Sequence, residues 1–115
     1  MLPEAPVELT REAATDLLWQ AEWYDTHAGP EVAERYLRAV AGTRDRLSLT
    51  PDAGRRRRFS SPLLRGVRSL AVERPFHRHL FFFRREDAVI LILRIMHGAR
   101  DLPRRLLEAP GSEDA

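Results

Sequence analysis

Residues 88–96 (AVILILRIM) form an almost unbroken valine, isoleucine and leucine run, bounded by Arg85-Glu86-Asp87 before it and His97-Gly98 after it. A run this short and this β-branched is expected as a central strand covered on both faces. It falls far short of the roughly 20 apolar residues that a membrane helix needs. The chain has 115 residues, enough for one hydrophobic core and too few for two. One domain over residues 1–110 is therefore expected, with residues 111–115 as a frayed tail.

The other elements follow from periodicity and punctuation. Val7-Glu8-Leu9-Thr10 alternates as a short first strand. Thr10 is placed to cap a helix from Arg11, with Glu12 in its first turn. Ala14, Leu17, Leu18, Ala21, Tyr24 and Ala28 recur at helical spacing as its expected buried stripe. Gly29-Pro30 breaks the chain, and Pro30 suits the first turn of a second helix. Its stripe is Ala33, Leu37, Val40 and Leu47, and Thr50-Pro51 ends it. Residues 51–62 (PDAGRRRRFSSP) read as a loop. Residues 67–73 alternate, with Arg68, Leu70 and Val72 on one face, and residues 77–84 are aromatic and strand-like. Together with 88–96 they predict a three-stranded antiparallel meander. Asp101 would cap a short last helix ending near Glu108, before Pro110-Gly111. The expected fold is α+β, in two layers of β-α-α-β-β-β order with a short C-terminal helix. A helical hairpin packs on a mainly antiparallel sheet.

Composition narrows the function classes. Cysteine is absent, which removes disulfides and thiolate metal sites. The opening MLPEAPVELT has no basic start followed by an apolar run, so no secretory leader is expected and the cytoplasm is the default. All 19 basic residues are arginine, a bias that a GC-rich genome alone can produce. The formal net charge of +2 hides a segregation: residues 1–54 sum to −5 and residues 55–105 to +10. A basic half of this strength attracts an anionic partner, nucleic acid or acidic peptide.

Several constellations have a bland and a functional reading. His77 and His79 sit at the spacing of one strand face, but only His97 offers a third metal ligand, and no metal or other cofactor is expected. Arg55 to Arg58 read as a solvated loop or as a phosphate-tracking patch. Phe81, Phe82 and Phe83 read mainly as packing, since alternation sends at least one into the core. Trp19 and Trp23, at i and i+4, lie opposite the predicted buried stripe. An exposed tryptophan pair there marks a partner surface. No glycine-rich phosphate loop and no serine–histidine–acid arrangement is present.

Four strings in order resemble one family. Asp16-Leu17 with Tyr24 looks like its opening helix, and Pro51-Asp52-Ala53-Gly54 like its P-x-x-G helix exit. Leu64-Arg65-Gly66-Val67-Arg68-Ser69-Leu70 and Phe76-His77-Arg78-His79-Leu80 are followed by Ile92-Leu93-Arg94-Ile95-Met96-His97-Gly98-Ala99-Arg100-Asp101. Over about residues 7–108 the chain is similar to the RelE/ParE toxin superfamily, closest to its ParE branch. The resemblance implies a toxin of a type II toxin–antitoxin module, related to plasmid stabilisation and growth arrest. It also implies a ribbon-helix-helix, ParD-like antitoxin as partner, and DNA reached only through the antitoxin complex. The ParE branch implies DNA gyrase as target. The RelE branch implies ribosome-dependent messenger-RNA cleavage, and a third reading is a non-toxic module acting only in operon autoregulation.

The branches separate on acid–base chemistry. RNA cleavage needs a base, an acid and cations to hold the charge building on the phosphate. Arg68, Arg78 and Arg94 would be those cations, but Tyr24 and Tyr36 both fall on the hairpin and His97 alone remains near the C-terminus. That departure from the nuclease pattern favours ParE, with no catalytic residue. Trp19, Trp23, Arg68, Arg78, Arg94 and Arg100 are then the expected antitoxin-binding residues.

Overall fold

The computed structural model describes residues 5–98 and 102–110. Its elements are β1 (Val7–Leu9), α1 (Arg11–Ala28), α2 (Pro30–Leu49), β2 (Arg55–Arg56), β3 (Arg68–Ala71), β4 (His79–Glu86), β5 (Val89–His97) and α3 (Leu102–Leu107), with one 3-10 turn at Pro62–Leu64. The expected α+β architecture is present. The sheet has the order β1-β5-β4-β3-β2, antiparallel except that β1 runs parallel to β5. Residues 55–56, expected as loop, add a short strand at the edge, because Gly54 turns the chain at φ +93° so that Arg55 and Arg56 pair with Ser69 and Arg68.

Punctuation acts as read. Thr10 Oγ accepts from the Ala13 N–H at 3.0 Å and caps α1. Pro30 opens α2, and Thr50 closes it through its own N–H. No helix of the described residues is long and apolar enough to cross a membrane. Residues 99–101 and 111–115, which include Arg100, Asp101 and the expected tail, lie outside the described residues.

The core sits mainly between the helical hairpin and the sheet, where Tyr36, Val40, Leu47, Phe81, Phe83, Ile90, Ile92 and Ile95 are buried together. A smaller cluster of Leu64, Val67, Phe82, Met96 and Leu106 covers the opposite sheet face beneath α3. A bulge divides the two. Phe82 pairs with Arg94 but Phe83 pairs with Ile92, so β5 carries one extra residue. Side chains alternate across a strand, and one added residue reverses the faces beyond it. Ile95 therefore joins Ile92 under the hairpin, while Arg94 joins Phe82 and Met96 on the α3 side.

The predicted helix stripes need two corrections. In α1 the buried line runs through Ala13 and Asp16, and Leu18 and Ala28 are exposed. In α2, Tyr36, Ala39 and Thr43 join Ala33, Val40 and Leu47, while Leu37 faces solvent. Hydropathy alone chose the leucines. The positions next to them in the helical turn face the sheet.

Candidate functional site

Arg94 has a different role from the expected one. It is 3% exposed, so it offers no surface for a partner. Its Nε donates to Asp16 Oδ2 at 2.7 Å and its Nη2 to Asp16 Oδ1 at 2.8 Å. Nη1 donates to the carbonyls of Arg105 at 3.1 Å and Glu108 at 2.5 Å. One guanidinium thus ties α1, β5 and the end of α3 together. The fork geometry of arginine suits this bidentate pairing.

Asp16 also accepts from the Ile95 N–H at 3.0 Å, and Gln20 Nε2 donates to the Ile95 carbonyl at 2.6 Å. The pairing of β1 with β5 ends at Leu9 and Ile92. Beyond it, side chains of α1 satisfy the edge of β5, which would otherwise be an open row of donors and acceptors. The arginine inside an apolar strand was the sequence signal of this pair, whereas the predicted stripe of α1 left Asp16 off the buried side.

The histidines lie further along the same pair of strands, where β4 begins and β5 ends. His79 and His97 are cross-strand partners with ring centroids 4.4 Å apart. Tyr24 OH is hydrogen-bonded to His79 Nε2 at 2.9 Å. Tyr36 packs on the same imidazole and donates to Gln20 Oε1. Burial, and next the neighbouring His97, push the His79 ring down to about 4. Burial also raises the phenol of Tyr24 and, aided by Tyr24 and Asp16, holds that of Tyr36 well above its ordinary value. Among the described residues, Tyr24 thus meets an imidazole and aromatic rings at its ring and hydroxyl. His77 is exposed before β4 begins, away from the buried His79 face. Among the described residues no group of three or more histidine, cysteine or acidic side chains could hold a metal ion.

The remaining expected residues divide by place. Arg68 pairs with Phe83, whereas His97 pairs with His79, four residues away along β4. At about 3.4 Å per residue their registers are roughly 14 Å apart. Arg78 is exposed beside the exit of β5, where its carbonyl accepts from the Gly98 N–H at 3.1 Å. Of the expected cations, Arg94 is buried and Arg68 lies away from His97, so Arg78 is the one left beside the expected base.

Trp19 and Trp23 are 60% and 55% exposed, and Leu18 beside them is 69% exposed. Trp23 stacks on His27 at 4.3 Å and meets Tyr24 edge-on. The outer face of α1 thus presents two indoles and a leucine to solvent, with the ring of Trp23 held in place. A cluster of large apolar side chains outside a domain of this size is the mark of an interaction surface.

A single five-stranded sheet with a helical hairpin on one face and an exposed apolar ridge on the first helix defines the class, a small two-layer α+β domain. Residues 7–102 match the family model described as "ParE toxin of type II toxin-antitoxin system, parDE". The chain belongs to the ParE toxin family. A solved chain from the "Chromosomal ParDE TA system from P. aeruginosa" is similar to it at 30% identity with a TM-score of 0.66, over 82% of this chain and 96% of that one. No curated protein matches the chain.

Proposed function

We propose that this protein is the toxin of a type II toxin–antitoxin module that acts in the cytoplasm by poisoning DNA gyrase, without catalysis of its own. A cognate ribbon-helix-helix, ParD-like antitoxin keeps it silent and carries the complex to operator DNA. Family membership supports the toxin role, and the solved relative comes from a ParDE system. The observation that carries the choice of target is the scattering of the nuclease groups. Arg94 is committed to Asp16, and Arg68 stands four residues along β4 from the position that His97 faces. A ribonuclease would have to bring a base and charge-stabilising cations to one phosphate.

The tryptophan ridge on α1 suits the apolar face of an antitoxin helix, and the exposed Arg78 suits its carboxylates.

A supercoiling assay with purified gyrase tests the reading. Free toxin is expected to stop supercoiling and trap the cleavage complex, and equimolar antitoxin to restore activity. Unchanged supercoiling at excess toxin would reject it. Messenger-RNA cuts on translating ribosomes that disappear in His97→Ala would then establish the nuclease reading, and normal growth on induction would establish an autoregulatory module.

A further inference from the structure

The outer edge of the sheet concentrates positive charge that the tryptophan ridge and the Asp16–Arg94 pair leave unexplained. β2 is the terminal strand, and its two residues are both arginines. Arg56 lies directly opposite Arg68, and Arg55 opposite Ser69. Like charges directly opposed across a strand pair repel and destabilise it. Among the described residues no carboxylate lies within ion-pair distance of Arg55, Arg56, Arg57, Arg58, Arg65 or Arg68. Four of these arginines, Arg56, Arg57, Arg58 and Arg68, line one cleft, and no carboxylate of the described residues pairs with them.

Two of them are held in position. Arg57 Nε donates to Ser69 Oγ at 2.8 Å, and its guanidinium carbon lies 5.7 Å from the centre of the Phe82 ring. Partial burial, and next the charge of Arg55, lower the affinity of Arg57 for its proton. Arg68 Nη1 donates to the carbonyl of Asp52 at 3.3 Å. Between them a cleft of about 270 Å³ is lined by Arg56, Arg57, Arg58, Gly66, Val67 and Arg68. At about 30 Å³ per water, that is ample for a phosphate group.

We propose that this arginine-lined edge binds the phosphodiester backbone of a nucleic acid, directly and without reading sequence. Arginine forks grip phosphate oxygens in pairs, and each phosphate neutralised releases counterions. An acidic protein segment fits less well, because such a segment normally adds an apolar anchor. The one large apolar residue lining this cleft, Val67, is 1% exposed. The proposal does not depend on gyrase being the target, and a gyrase assay and a binding assay fail independently.

Fluorescence anisotropy of the full chain with labelled oligonucleotides, one a DNA duplex and one a single-stranded RNA, tests it. Four contacted phosphates predict roughly 100-fold weaker duplex binding from about 50 to about 200 mM salt. The double variant Arg56→Ala/Arg58→Ala, both exposed, is expected to lose at least about tenfold in affinity at low salt. Its log–log salt slope should fall by about two. Arg35→Ala/Arg38→Ala, on the exposed face of α2, is the control and should bind as the parent does. Equal melting midpoints for the parent and both variants establish that the fold is intact. Stronger binding of one oligonucleotide identifies the physiological source. Binding that is insensitive to the edge substitutions, or polyglutamate of equal charge competing as well as duplex, would overturn the proposal in favour of no site or of an acidic protein partner.

Discussion

Arg94 and Asp16 lie 78 residues apart and meet through two hydrogen bonds, at 2.7 and 2.8 Å, with both side chains buried. The pair ties the first helix to the last strand, and Arg94 continues to the carbonyls at the end of α3. Removing one partner leaves an uncompensated charge in a low-dielectric setting, which costs about 3–5 kcal/mol. Asp16→Ala and Arg94→Ala are each expected to lose that much in urea unfolding. Arg94→Met with Asp16→Leu should recover most of it, since a well-packed apolar pair avoids the desolvation cost. A loss in the double variant equal to the sum of the two single losses would refute the coupling.

His79 makes stability fall on the acid side. The folded ring takes its proton only near pH 4, whereas an unfolded histidine does so near 6.5. Between those values the unfolded state binds more protons, so stability is complete above about pH 6.5 and declines as pH falls towards 4. A gap of about 2.5 pH units, at about 1.4 kcal/mol each, is worth about 3.5 kcal/mol. The groups facing the ring are Tyr24, Tyr36 and His97. Urea midpoints measured across this window should flatten in His79→Gln. An unchanged slope in that variant would assign the acid sensitivity to other groups.

Gly54 is required by its backbone. At φ +93° a side chain is strained, and a β-carbon there would come within 2.5 Å of the Ser69 carbonyl oxygen. Gly54→Ala is therefore expected to cost about 1–3 kcal/mol and to unpair β2 from β3. Hydrogen exchange at Arg57, whose N–H donates to the Val67 carbonyl at 3.0 Å, reports that loss directly.

Trp19 and Trp23 separate binding from folding. Both are more than half exposed, so Trp19→Ser/Trp23→Ser should change unfolding free energy by less than about 1 kcal/mol. If the antitoxin docks on this ridge, the same variant should weaken its binding by about 2 kcal/mol or more, roughly thirtyfold, in calorimetric titration. Full antitoxin affinity in a folded double variant would move the docking site elsewhere.

Much of the architecture was legible because it depends on local chemistry. Thr10, Pro30 and Thr50-Pro51 set the helix ends, and the run at residues 88–96 marked a strand buried on both faces. The two exposed tryptophans followed from helical phase. The family strings had physical counterparts as well, since the glycine of Pro51-Asp52-Ala53-Gly54 is the one that turns the chain into β2.

Tertiary structure alone decided where the charges went. The bulge in β5 reverses the alternation between Ile92 and Arg94, and no period-two pattern announces an extra residue. Without it, Arg94 would share the hairpin face with Ile92. With it, Arg94 reaches α3 and pairs with an acid 78 residues away. The sequence by itself determined the two long helices and the longer strands, though not the two-residue β2, because capping, proline and hydrophobic period act over a few residues. Which arginine is structural and which is free for a partner depended on strand register and on chain-distant neighbours, and these exist only once the sheet has closed against the hairpin.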